Sequence, residues 1–140
     1  MHIDAMFKEV NIMFDDQLCE NGLRLKINMT KDCKHKYQME CQKIQQIYMN
    51  LLQNAIKFAF KQSLITVQIS VDNDNTGDKD SNIVKVKLIN SGPEINQERI
   101  RAILDPQKKY KDLDSSFLFQ GVGTGFGLQL CKRICDQFGW

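Results

Sequence analysis

Nowhere does this chain of 140 residues contain a run approaching the roughly 18 apolar residues that a membrane span requires. Charge of one sign is equally scarce. Nineteen Lys and Arg against 17 Asp and Glu leave a net +2, which gives no electrostatic case for nucleic acid. The cysteines are few and unpatterned: Cys19, Cys33, Cys41, Cys131 and Cys135 make an odd count with no CxxC pair. A disulfide framework is therefore not expected, and a reducing, intracellular setting is the simpler reading. Cys33-Lys34-His35 with Cys41 matches no zinc spacing, so these are read as scattered thiols. The opening MHIDAMFKEV is amphipathic and carries acidic residues, unlike a signal or transit peptide. Internal repeats and an interdomain linker are missing too. What is present, 42% hydrophobic and 26% charged residues, suits one globular domain over residues 1–140 with a respectable core.

Ile3, Met6, Phe7, Val10, Phe14 and Leu18 recur at helical spacing, which predicts a single amphipathic helix stopped at Asn21-Gly22. Leu23, Leu25 and Ile27 alternate with polar residues as in a half-buried strand. A polar stretch over residues 28–36 leads to a long helix from about Glu40 to Phe60. Two more alternating segments follow, Ile65, Val67, Ile69 and Val71, then Val84, Val86 and Leu88, joined by a polar hairpin loop. A short helix with Ile100, Ile103 and Leu104 inward ends before Pro106. Residues 107–120 have no sustained period and read as a mobile loop. Leu128, Cys131, Ile134 and Phe138 mark a final helix. The pattern predicts an α/β two-layer sandwich, a mixed sheet with helices on one face.

Asp72-x-Asp74-x-Thr76-Gly77 imitates the start of a calcium loop. The twelfth position of such a loop needs a bidentate Glu, and here it is Ile83. Strands, not helices, flank it, so it is read as a solvated hairpin loop.

The most informative segment is QQIYMNLLQNAIKF, residues 45–58. At about 100° per residue, Gln46, Asn50, Asn54 and Lys57 share an arc of roughly 80°. Ile44, Ile47, Leu51, Ala55 and Phe58 are expected to take the opposite, buried side. A row like this is by itself compatible with a plain solvated surface. Asn, however, is a mediocre helix former, and exposed stripes favour Glu, Lys and Arg. An Asn carbonyl oxygen is a hard neutral ligand that suits Mg²⁺, and a lysine ammonium suits phosphate.

The second segment is GVGTGFGLQLCKRI, residues 121–134. Four glycines at alternate positions have no side chains to pack. They let backbone approach a ligand and aim N–H groups at it just before a helix N-terminus, which is anion-binding geometry. The segment lacks the Lys-Ser/Thr of a P-loop and does not follow a strand as a dinucleotide fingerprint does.

In this order and separation the two segments resemble the ATP site of the histidine-kinase branch of the GHKL superfamily. Asn50-Leu51-Leu52-Gln53-Asn54-Ala55-Ile56-Lys57-Phe58 resembles the N box. Gly123-Thr124-Gly125-Phe126-Gly127-Leu128 resembles the G2 box. Asn90-Ser91-Gly92-Pro93-Glu94-Ile95 stands where the G1 box, Asp-x-Gly-x-Gly, belongs, and Ile103-Leu104-Asp105-Pro106 is a faint trace of the F box. Glu40, Lys43 and Gln46 also agree with the family's approach to the N box.

The resemblance implies a GHKL (Bergerat) sandwich holding ATP between its helical layer and a lid over about residues 107–120. It lacks the C-terminal strands with which the family usually ends, leaving one sheet edge exposed. Asn54 would coordinate Mg²⁺, Asn50 would contact phosphate or support the metal, and Lys57 would bind phosphate. Phe58 would line the pocket, while Asn90 and Gly92 would lie on the adenine side. Gly123, Gly125 and Gly127 would offer backbone N–H groups to the phosphates, with Thr124 and Leu128 beside them. Lys108, Lys109 and Lys111 are either γ-phosphate contacts or a solvated basic loop. Asn50 stands where the ATPase branches carry a Glu that activates water, so transfer is favoured over hydrolysis.

The implied protein is a protein-histidine kinase of two-component phosphorelay signalling. This chain would be the ATP-binding part of a larger multidomain protein. The acceptor would be a histidine on a separate dimerisation domain, of the same or a partner chain, with a receiver domain downstream. No nucleic-acid partner and no direct membrane contact are expected. The location would be the cytoplasm, including the cytoplasmic part of a membrane receptor. Neither His2 nor His35 has the acidic context of a phospho-accepting helix. Three departures accompany this: Asn90 replaces the G1 Asp, Glu94 replaces its second glycine, and Leu104 and Gln107 replace the F-box phenylalanines. They favour the alternative of a degenerate pseudokinase acting as a nucleotide-sensing or protein-interaction module.

Overall fold

The computed structural model describes residues 2–34, 39–73, 82–105 and 126–140. Among these residues are five helices and three strands: α1 (Ile3–Met13), α2 (Asp15–Glu20), β1 (Arg24–Met29), α3 (Cys41–Phe58), β2 (Leu64–Asn73), β3 (Asn82–Ile89), α4 (Gln97–Leu104) and α5 (Phe126–Phe138). A 3-10 turn over Lys31–Lys34 lies between β1 and α3.

The sheet has the order β1-β2-β3, with β1 parallel to β2 and β3 antiparallel to it. Its register explains the alternation in the sequence. Leu25 pairs with Ile65, Ile27 with Val67 and Met29 with Ile69, while on the other side of β2 Val67 pairs with Leu88 and Ile69 with Val86. Successive side chains of a strand point to opposite faces, so these residues form one apolar face. The helices cover that face: Ile3, Met6, Phe7 and Val10 of α1 and Tyr48, Leu52, Ala55 and Ile56 of α3 share one core with Ile65, Val67 and Ile69. Arg24, Lys26, Gln68, Lys85 and Lys87 occupy the other, exposed face. The mixed sheet with helices on one face is the arrangement expected from the sequence.

Three expectations need correction. The N-terminal amphipathic segment is two helices, not one, because the chain turns at Phe14, whose ψ of 1° leaves the α region. Phe14 and Leu18 stay in the core despite the break. Within the polar stretch after β1, a 3-10 turn drives Cys33 into full burial, where the thiol donates to the Ile69 carbonyl at 3.5 Å. In α3 the fully covered residues are Tyr48, Leu52, Ala55 and Ile56, while Ile44, Ile47, Leu51 and Phe58 are only half-buried. The buried face is displaced because α3 is covered on two flanks, by α1 and the sheet on one and by α5 on another. In α4, Ile100 is half-buried but Leu104 remains 47% exposed, since it falls in the last turn next to the helix end.

The core contains one buried polar pair. The Tyr48 hydroxyl donates to Asn11 Oδ1 at 2.7 Å, and its ring meets Phe7 edge-on at 4.5 Å between centroids. Burial of the phenol, only partly offset by the Asn11 hydrogen bond, pushes its pKa from 10.0 up to about 12. The pair ties α1 to α3 and thereby fixes the helix that carries the polar row.

Candidate functional site

The site is built on α3, whose long polar face is left largely open by the other described elements. Gln46, Gln53 and Lys57 are exposed there, and Asn50 and Asn54 are half-buried. Asn50 is held by its own helix: its Nδ2 donates to the Gln46 carbonyl at 2.9 Å. The side chain of Gln46 is not needed for that contact. Its carbonyl one turn earlier serves, which leaves the Asn50 Oδ1 directed away from the helix.

The N-terminus of α5 meets that oxygen. A Cβ added to Gly127 would lie 3.2 Å from Asn50 Oδ1, so the second residue of α5 is packed on the Asn50 amide. Leu128 beside it is half-buried, and Gln129 is buried. Further along, the Cys131 thiol donates to the Ile47 carbonyl at 3.7 Å and keeps α5 beside α3. Burial first, then the neighbouring Cys135, raises the Cys131 thiol from 9.0 to about 11, so it is protonated at neutral pH. The start of a helix carries unsatisfied N–H groups and the positive end of the backbone dipole. The Asn50 end of the row is therefore the end suited to an anion.

The other end of the row lies eight residues on, about 12 Å along the helix axis at 1.5 Å per residue. There the segment after β3 crosses the end of α3. The Phe60 N–H donates to the Ser91 carbonyl at 2.8 Å. Gly92 lies so close to the helix end that an added Cβ would come within 2.4 Å of the Phe58 carbonyl oxygen. No other residue type fits there without moving backbone. Asn90 is exposed just before it, with its Nδ2 3.4 Å from the same Cβ position. Glu94 is also exposed, so its carboxylate points to solvent. The Lys57 ammonium sits 5.5 Å from the centroid of the Phe58 ring, a cation–π distance.

The fold thus brings three separate stretches of the chain together: Asn50, Asn54, Lys57 and Phe58 on α3, Asn90 and Gly92 after β3, and Gly127 and Leu128 on α5. Gly123, Thr124, Gly125, the loop over 107–120 with Lys108, Lys109 and Lys111, and His35 lie outside the described residues. Two contributors were not read from the sequence. Ser91 fixes the crossing through its carbonyl, and backbone contacts leave no trace in residue type. Cys131 was visible as part of the apolar period of the last helix, but its carbonyl acceptor on α3 was not. Among the described residues no group of three or more His, Cys, Asp or Glu could hold a metal. The oxygens that the described part of the row can offer a cation are those of its side-chain amides, Asn50 and Asn54 among them. Among the same residues no helix is long and apolar enough to cross a membrane.

An α/β sandwich with its polar groups along one helix, glycine-flanked at both ends, differs from sheets that bind ligands at their strand ends. The chain belongs to the family described as "Histidine kinase-, DNA gyrase B-, and HSP90-like ATPase", whose pattern matches residues 40–140. Among curated relatives it is 27% identical over 134 residues to "Adaptive-response sensory kinase SasA" of Gloeothece citriformis, covering 96% of this chain and 31% of that protein. The catalytic domain of histidine kinase ThkA, in a nucleotide-free form, superposes with a TM-score of 0.68 at 23% identity, covering 98% of this chain and 78% of that one. Full-length ShkA in complex with AMPPNP gives 0.69 at 17% identity, covering 99% and 26%. The fold is thus that of histidine-kinase catalytic domains. The chain spans only 15% to 33% of the length of the first curated relatives it matches.

Proposed function

We propose that this chain is the single ATP-binding domain of a larger phosphorelay histidine kinase. It would present the γ-phosphoryl group of Mg·ATP to a histidine on a separate dimerisation domain, with a receiver domain downstream. The observation that carries this reading is the pair of close glycine contacts at opposite ends of one amide row: Gly127 on Asn50 and Gly92 on the Phe58 carbonyl. Their separation of about 12 Å suits a triphosphate at the α5 end and a base at the other.

The donor set fits the metal as well. Asn50 and Asn54 offer neutral oxygens on a half-buried face, and hard oxygen ligands with some retained water are what Mg²⁺ takes. Asn54 would hold the ion, with Asn50 contacting phosphate or supporting it. Bound there, Mg²⁺ would neutralise phosphate charge. Lys57 would leave the Phe58 ring to pair with phosphate, while Phe58 lines the base side. Gly123, Thr124, Gly125, Gly127 and Leu128 would form the phosphate cradle. Asn50 has no basic oxygen with which to take a proton from water, which favours transfer to another acceptor over hydrolysis.

The test is calorimetric titration of the chain with a non-hydrolysable ATP analogue, with and without Mg²⁺. Micromolar to low-millimolar binding, tightened by Mg²⁺, is expected. Asn54→Ala should remove the Mg²⁺-dependent part, a loss of roughly tenfold or more for a charge-assisted contact, with the melting temperature little changed. Unaltered Mg²⁺ dependence in that variant would reject the metal role. A second reading, a pseudokinase interaction module, is favoured by Asn90 at the base end, where the family's pattern has an Asp. Folded protein that gives no binding heat would select it.

A further inference from the structure

We propose that the outer face of the sheet is a docking surface for a short acidic segment of a partner protein. The proposal goes beyond nucleotide binding and is independent of it, because the core packs α1 and α3 on the opposite face. The charged side chains of the outer face are Arg24 and Lys26 on β1, Lys85 and Lys87 on β3, and Asp72 on β2, all exposed. The whole chain is nearly balanced, with 19 cationic and 17 acidic residues, yet this face sets four cations against one carboxylate. That carboxylate is taken up by Lys85 at 2.5 Å. Arg24, Lys26 and Lys87 have no ion pair among the described residues. The exposed acids Glu9, Asp15, Asp16 and Glu20 lie on α1 and α2 instead.

Strand register arranges these cations. Along β2, Arg24 is level with Leu64, Lys26 with Thr66, Lys87 with Gln68 and Lys85 with Ser70. Successive levels are two residues, roughly 6.7 Å, apart, and β1 and β3 stand about 10 Å apart across β2. The cations therefore form a diagonal stripe roughly 20 Å long. Its spacing is that of alternate residues in an extended peptide, so carboxylates at every second position meet one cation each. Thr66, Gln68 and Ser70 lie between the two cationic strands and offer hydrogen bonds to such a segment. At the Arg24 end, Leu64 and Ile89 are diagonal neighbours, 38% and 41% exposed, and form an apolar seat beside the cations.

Size and chemistry choose the occupant. Three strands and four such levels present on the order of 400 Å², half of the roughly 800 Å² that a stable interface takes from each partner. A short segment held transiently fits that area. Among the described residues no aromatic ring lies on this face to stack a base, as single-stranded nucleic acid requires. Three unpaired cations fall short of the roughly four to eight that mark a lipid-binding cluster. An acidic peptide uses the charge, the spacing and the hydrogen-bonding floor together.

The experiment is fluorescence anisotropy of the 140-residue chain with a labelled peptide carrying a leucine pair at one end and glutamate at alternate positions. A peptide of about ten residues spans roughly 33 Å when extended, enough for the stripe and the apolar seat. Saturable binding is expected at low salt, weakening at least about threefold as ionic strength rises from about 0.05 to 0.3 M. Lys26→Glu and Lys87→Glu should each weaken it by about three- to tenfold, since each reversal replaces an attraction with a repulsion. Arg101→Glu makes the same charge change on α4 and should leave binding within about twofold of native. All three positions are exposed, so each variant should melt within a few degrees of the native chain. The proposal is overturned if the folded chain ignores the peptide or binds its glutamine counterpart equally well. An Arg101→Glu effect as large as that of Lys26→Glu overturns it too, because net charge and not this face would then be read. Tighter binding of equal-part phosphatidylserine and phosphatidylcholine vesicles, or of polyuridylate, that is lost in Lys26→Glu also overturns it and gives the face to lipid or RNA. Each of these results leaves the nucleotide-binding reading where it stands, since that site is on the helical side of the sheet.

Discussion

Replacing Gly92 by alanine should destabilise the domain by about 2–4 kcal/mol and weaken nucleotide binding at least tenfold. The added Cβ would stand 2.4 Å from the Phe58 carbonyl oxygen and 3.3 Å from its carbon. Both are backbone atoms at the end of an 18-residue helix, so no rotamer change relieves the clash. Either the helix end or the strand-exit segment has to move. Overpacking of this kind costs about 1–3 kcal/mol. Moving the segment also disrupts the Phe60 N–H to Ser91 carbonyl bond, worth about 1 kcal/mol more. A fall in melting temperature of roughly 6–15 °C should follow. The binding loss has the same origin, because Asn90 is carried on the displaced segment. Thermal melts and titrations together check this. A variant within about 0.5 kcal/mol of the native chain would mean that the crossing is looser than the contact implies.

The second large effect is alkaline. The Tyr48 phenol is raised to about 12 and the Cys131 thiol to about 11, each mainly by burial. In the unfolded chain they ionise near 10 and 9. Above those values the unfolded state has released protons that the folded state still holds, so stability falls as pH rises. The thiol's contribution is intact below pH 9 and lost through about pH 11. The phenol's is intact below pH 10 and lost through about pH 12. At about 1.4 kcal/mol for every pH unit between the folded and unfolded values, each group contributes on the order of 2–3 kcal/mol. Denaturant melts between about pH 8 and 11.5 should steepen first through the thiol and then through the phenol. Cys131→Ala should remove the earlier part of the slope. Tyr48→Phe should flatten the later part while lowering stability at neutral pH by about 1–3 kcal/mol, since Asn11 Oδ1 loses its buried donor. A pH profile unchanged in both variants would place the alkaline sensitivity elsewhere.

Periodicity made most of the fold legible. The alternation Ile65-Val67-Ile69 could only belong to a half-buried strand, and Gly22, at φ +64°, ends the N-terminal helical segment where Asn21-Gly22 said it should. What periodicity missed was the number of neighbours. A helix touched on one side buries one stripe, and α3 is touched on two, so Tyr48 and Leu52 outrank Ile44 and Leu51. The turn at Phe14 also escaped, because Phe14 and Leu18 keep a helical spacing across it. Of the site, Asn50 and Asn54 were readable as an unusual amide pair, and Gly127 as part of a run that could not be packing. Their meeting was not readable, nor was the reason for Gly92. Both depend on the close approach of a glycine to a segment 34 or 77 positions away, which residue type does not encode.

The connection between β1 and β2 has a kinetic consequence. Their parallel register joins Arg24 to Leu64, so α3 is itself part of the long crossover, whereas β2 and β3 form a local antiparallel hairpin. Closing a long loop costs entropy before its contacts repay it. The hairpin can therefore form early, while the docking of β1 and α1 against α3 must wait for that closure. Asn50 and Asn54 ride on the intervening helix, which gains its rigid Tyr48–Asn11 tie only when α1 arrives. On this topology the amide row of α3 is expected to be fixed after the β2–β3 hairpin, among the last parts of the chain.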